Sequence, residues 1–274
     1  NYNDKYEYIL PEITFDKNLV SNDFIGNLDL QSNLKVRNYD TNKTSKFFIN
    51  DLDWNFKNFN SNSGLTGKLI GKVKNINYEA KNITTLKETT VNELHGALGY
   101  LTKLELFKKN KDSSESSLIP KLLLRYAPGS MRKEESGSRM DPSAIFSLDR
   151  LNNQNNFESG SSATLGFDYE LTSKDKELVV SMGQVFNTEN NKKMHSKTSL
   201  DQKISDLVGT SSLKINDNVK FKYNFSLDHN YNDFNYNEIG ASLDLDPIKI
   251  NFDYLEENKH IGDKQYFKTK INFE

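Results

Sequence analysis

Two short clusters have the residue types for strong polar chemistry: Arg125-Tyr126 and Asp149-Arg150. Adjacent opposite charges inside a long polar stretch can form charge-assisted hydrogen bonds, about twice as strong as neutral ones. On an open surface the same groups contribute only ~0–1 kcal/mol. Asp149-Arg150 is therefore read as folding inward to fix a loop or a partner. Arg125 and Tyr126 are candidates to touch a partner or substrate, although both also suit a plain strand end. A third set, Lys220, Lys222, Lys249, Lys268 and Lys270, falls at alternate positions, with Asp228, Asp244 and Asp253 nearby in sequence. These five lysines, Lys220 and Lys222 foremost, could attract phosphate groups; ordinary polarity balanced by those acids is the competing reading.

None of these clusters is catalytic in type. His95, His195, His229 and His260 show no ligand spacing and the chain has no cysteine, so no metal is expected. Nucleophile elbows, phosphate loops and dinucleotide fingerprints are absent. The expectation is no enzyme and no cofactor. A formal net charge of -2 gives no basic field for nucleic acid.

The elements that carry these residues have a period of two. Val219, Phe221, Tyr223, Phe225 and Leu227 share one face, and Lys220, Lys222, Asn224, Ser226 and Asp228 share the other. Ile248, Ile250, Phe252 and Tyr254 repeat this, as do Phe267, Thr269, Ile271 and Phe273. Ala163, Leu165, Phe167, Tyr169 and Leu171 alternate with Thr164, Gly166, Asp168 and Glu170, and Phe48, Leu52, Trp54 and Phe56 with Asp51, Asp53 and Asn55. No segment has a helical period. The alternation predicts about thirteen strands, mostly ~10–16 residues long, beyond the usual ~5–6.

Tight turns fall at Asn216-Asp217, Asp246-Pro247 and Ser173 to Asp175. Polar loops fall at 188–200, 257–264 and 128–160. Short and long connections alternate, as in an up-and-down meander with all its short turns at one end. The stretch 109–116 would be a long turn on the short side. The mean hydropathy is -0.74, and no run reaches the ~18 apolar residues of a spanning helix. A barrel with a wet interior needs only every second residue apolar. The reading is an all-β, transmembrane, antiparallel up-and-down barrel. Tyr6, Tyr8, Phe47, Phe59, Tyr254, Tyr266 and Phe273 are candidates for aromatic girdles. A soluble β-sandwich, with its apolar face inward, has the same period.

The stretch from Pro120 to Gln184 carries a resemblance. It reads PKLLLRYAPG, a polar loop, FSLDRLNNQN, SSATLGFDYEL and ELVVSMGQVF. This is similar to the central barrel region of the lipopolysaccharide-assembly family LptD, also called the organic-solvent-tolerance family. The matching positions are Pro120, Arg125, Tyr126, Pro128, Asp149, Arg150, Gly166, Gly183 and Gln184.

The resemblance implies a lipopolysaccharide translocon component in the outer membrane of a Gram-negative bacterium. It implies lipopolysaccharide as ligand, a lipoprotein plug of the LptE kind, periplasmic bridge proteins and surrounding outer-membrane lipid. The family's N-terminal periplasmic jellyroll and its cysteines do not appear in residues 1–274, which are expected to be a barrel portion lacking that domain and the final strands. Three alternatives stay open: a porin- or fatty-acid-type channel of about fourteen strands, an enzyme barrel, and the sandwich.

Overall fold

The structure, a computed structural model, describes residues 7–39, 42–111, 113–151, 153–258 and 264–273. Among the described residues fourteen strands form one sheet: β1 (Glu7–Asn22), β2 (Gly26–Tyr39), β3 (Lys43–Asn60), β4 (Leu65–Lys81), β5 (Val91–Leu104), β6 (Leu106–Lys109), β7 (Glu115–Ala127), β8 (Gly160–Ser173), β9 (Lys176–Asn187), β10 (Leu207–Asn216), β11 (Val219–Leu227), β12 (Phe234–Leu245), β13 (Ile248–Glu257) and β14 (Lys264–Phe273). Spatial order follows chain order, and every pairing is antiparallel. The short β6 continues the line of β5 along β7. Among the described residues β1 and β14 do not pair with each other, so the sheet is open.

Alternation builds two unlike faces. Across one face, cross-strand partners are polar: Asp51 stands opposite Lys74 and Asp53 opposite Lys72. Across the other runs the row Trp54, Gly71, Leu98 and Tyr126. That second face is uncovered: Leu98 is 58% exposed, Leu165 51% and Phe267 69%. A sandwich would bury these side chains against a second sheet, so the sandwich reading fails. Rows of exposed Leu and Phe at every second position are what a strand offers to hydrocarbon.

The two ends also differ. The strand ends joined by 23–25, 61–64, 110–114, 174–175, 217–218 and 246–247 lie at one end of the sheet, and those that flank 82–90, 128–159, 188–206 and 228–233 at the other. All the long loops therefore share an end. The stretch expected as a long turn closes tightly, with the Asn110 amide donating to the Ser114 carbonyl at 2.8 Å.

Two girdle candidates are corrected. Tyr266 stands opposite Leu255 on the polar face, one residue off the apolar pair Tyr254 and Phe267. Phe47 is 4% exposed on the polar face, packed with Ile49, Ile76 and Tyr78 under Leu86 and Val91; its neighbour Phe48 is the outward one. Loop 82–90 supplies that cover, so apolar residues become stable on a face that is polar elsewhere. Tyr8, Phe59 and Phe273 are exposed, and Tyr6 lies outside the described residues.

Candidate functional site

Residues 128–159, between β7 and β8, fold back onto the polar face. Gly129 at φ +93 and Gly160 at φ +113 stand at the feet of this loop, with nothing near where a Cβ would be. These angles disfavour any residue with a side chain. Met131, Met140 and Ile145 then pack with Val185, Met194, Leu200 and Val208. Leu148 and Phe157 pack with Ala97, Ala127 and Ile70.

Asp141 caps a single helical turn at Pro142–Ala144 by accepting the Ser143 amide at 2.8 Å. The turn delivers Ile145 and Phe146 to Gly166 and Gly183, which face each other across β8 and β9. A Cβ on Gly166 would lie 2.9 Å from Phe146 and 2.2 Å from the Met182 carbonyl; one on Gly183 would lie 3.2 Å from Ile145. The glycine pair is a notch for the loop. Lys121, ion-paired with Asp168, lies 5.3 Å from the centre of the Phe146 ring.

Charges hold the rest of the loop. Arg125, in β7, is 3% exposed and gives its guanidinium to three loop carbonyls: Leu148 at 2.7 Å, Gly160 at 2.9 Å and Glu158. Arg150 makes a bidentate pair with Glu158, Nε to Oε2 at 2.8 Å, and reaches Ser162 at 3.1 Å and Thr164 at 3.3 Å in β8. Asp149 turns the other way, accepting from Lys74 of β4 at 3.1 Å and from the Glu158 amide at 3.3 Å. Lys74 also lies 3.6 Å from Asp51, which lies 3.4 Å from Lys72. The network thus ties the loop to β3, β4, β7 and β8.

Burial alone would raise the Glu158 carboxyl, but the Arg150 and Arg125 guanidiniums outweigh it and hold the group below the usual carboxylate range. Asp149 goes the opposite way: its burial outweighs the charge and hydrogen bond of Lys74, and it is pushed up. Further out, Arg132 reaches the Asn155 carbonyl, lies 3.1 Å from Glu93 and sits 4.7 Å from the centre of the Tyr78 ring. Beside it is a cavity of about 660 Å³ whose lining includes Arg37, Arg132, Lys133, Glu134, Glu135 and Arg150.

Arg125, Asp149 and Arg150 thus come together. Tyr126 does not: one residue on, it faces the apolar side, 58% exposed, in a groove with Trp54, Leu98 and Leu124. Pro120 stands opposite Phe167 in the sheet, and Pro128 immediately follows β7. Gln184 links loops instead, giving its amide to the Ser205 carbonyl at 2.9 Å and accepting from the Tyr231 hydroxyl at 2.8 Å. Lys220 and Lys222 are exposed on β11; their cross-strand neighbours Lys214, Ser212, Ser242 and Gly240 are outside the network. Sequence reasoning missed Glu158 and Lys74. Lys74 had a visible signal, the 72/74 alternation matching 51/53; Glu158 had none.

The arrangement can anchor a loop and bind polar ligands. A family model described as LptD: LPS transport system D matches residues 2–273. No curated protein matches the chain.

Proposed function

Because this chain belongs to the LptD family, whose function is lipopolysaccharide transport and assembly at the outer membrane, we propose the following division of labour between its two faces. The exposed Leu, Phe and Tyr rows meet hydrocarbon in the outer membrane of a Gram-negative bacterium. The polar face lines a passage for the saccharide and phosphate part of lipopolysaccharide. Loop 128–159 stands in that passage from the outer side, with the long connections outward and the short turns periplasmic, as is usual for such barrels. Lys220 and Lys222 contact the substrate's phosphates. An LptE-like lipoprotein shares the lumen, and periplasmic bridge proteins deliver substrate. No observation favours a porin-type channel.

One observation carries this reading: one face of the sheet presents exposed and mainly apolar rows, while most ionised strand side chains stand on the opposite face. Photocrosslinking tests it directly. A photoreactive residue at Lys222 should capture lipopolysaccharide, and one at Leu124 should capture bulk membrane lipid. The reverse pattern, or lipopolysaccharide captured equally from both, would overturn the assignment of faces.

A further inference from the structure

A second polar cluster lies where three segments meet at the loop end. Asp206 directly precedes β10, Asp228 and His229 directly follow β11, and Asn235 is near the start of β12. One carboxylate oxygen from each aspartate and one His229 nitrogen all lie within 4.8 Å of one another. Two calcium–oxygen bonds span about that distance. Asp206 is buried, and its Oδ2 accepts from Ser226 at 2.9 Å and from the Asn235 amide nitrogen at 2.8 Å. The His229 ring nitrogen Nδ1 lies 2.7 Å from Asp228 Oδ1. Asp206, Asp228 and Asn235 line one small cavity of about 150 Å³, together with Lys197, Ser199 and Gln202. Among the described residues Lys197 forms no ion pair with these carboxylates.

Acids in proximity mean little alone; the independent observation is Asn235. The β11–β12 register passes from Leu227 opposite Phe234 to Ser226 opposite Tyr236, leaving Asn235 as an extra residue. Such a bulge re-aims a side chain. Here it brings Asn235 to Asp206 with only 9% of the residue exposed. The nitrogen is satisfied, yet the amide oxygen is buried without any donor. A buried acceptor without a partner is costly. Asp201 has a second such oxygen, and burial followed by the charge of Asp206 pushes its carboxyl up. The neighbourhood has a surplus of oxygen acceptors and of negative charge.

We propose that Asp206, Asp228 and the amide oxygen of Asn235 form a divalent-cation site of the calcium class. Carboxylate and amide oxygens from irregular loops suit the large, geometrically tolerant calcium ion better than magnesium or zinc. His229 orients Asp228. The bound ion fastens loop 188–206 to loop 228–233.

The test is calcium titration calorimetry on the purified full chain in detergent, after chelator treatment. About one ion per chain should bind, with a Kd of ~10⁻⁴–10⁻³ M or tighter. Asp228→Asn and Asn235→Leu should each weaken binding at least about tenfold, with heat-dependent gel mobility unchanged. Asp206→Asn also removes a buried anchor for Ser226 and can fail to fold, so Asp228→Asn, in the partly exposed turn, decides. Absence of saturable binding in the wild type would overturn the proposal, as would undiminished binding in both variants.

Discussion

From β3 to β9 loop 128–159 is fastened to the polar face by buried charges; toward β10 to β14 it meets Val208 and Tyr236, both at the loop end of their strands. Both halves are written in the same alternation, yet their charges have different fates. Under the loop, Lys74, Arg125 and Arg150 all find carboxylates or carbonyls. In the other half Lys214 stands directly opposite Lys220, a like-charge pairing that disfavours the sheet. Lys214 is ion-paired with Asp217 at 2.7 Å, and the charge of Lys220 acts on the same carboxylate. The charges under the loop hold it to the sheet, whereas Lys220 and Lys222 stand exposed on β11.

The largest test of that contrast is Glu158→Gln, which leaves two buried guanidiniums without their main counter-charge. Such a loss costs ~3–5 kcal/mol, and thermal unfolding with protease cleavage in 128–159 should report it. A cost near that of a surface pair would erase the distinction. Next is Gly183→Ala, whose Cβ would meet Ile145 of the loop at 3.2 Å, expected to cost ~1–3 kcal/mol by overpacking and read as faster proteolysis of the loop.

A pH titration is third. Asp149, pushed up, is less favourable when ionised in the fold, so its penalty disappears as pH falls through its raised value above 3.8. Glu158, held down, contributes stability above its ordinary 4.5, and this is lost as pH falls through its depressed value. Loop protection factors, corrected for the intrinsic slowing of exchange in acid, should therefore hold or rise as pH falls toward 4.5 and fall only below it. Loss of protection already at pH 5–6 would contradict this order. The smallest stability effect belongs to Lys220→Gln with Lys222→Gln: within ~0.5 kcal/mol, but with less lipopolysaccharide reaching the cell surface. Unchanged surface lipopolysaccharide would remove both lysines from the route.

Much of the frame was legible. Period two placed the strand at 248–257 and the turn at 217, because both faces of an outer-membrane sheet differ at every residue. The girdle reading fails at Phe47: period two already puts it on the face of Asp51 and Asp53, where loop 82–90 covers it locally. Asp149-Arg150 was legible as a charged pair but not as two diverging anchors. Lys74 lies 75 positions from Asp149, and nothing local encodes such a meeting. Asp228-His229 was visible side by side, while Asp206 and the bulge at Asn235 came only with the register.

The order of the sheet has one more consequence. Every strand pairs with a neighbour in the chain, so each hairpin can zip up as its second arm arrives, with little loop closure. The bond between Lys74 and Asp149 must wait until β4 through β7 stand side by side. That part of the wall must therefore form before the loop can be fastened to it.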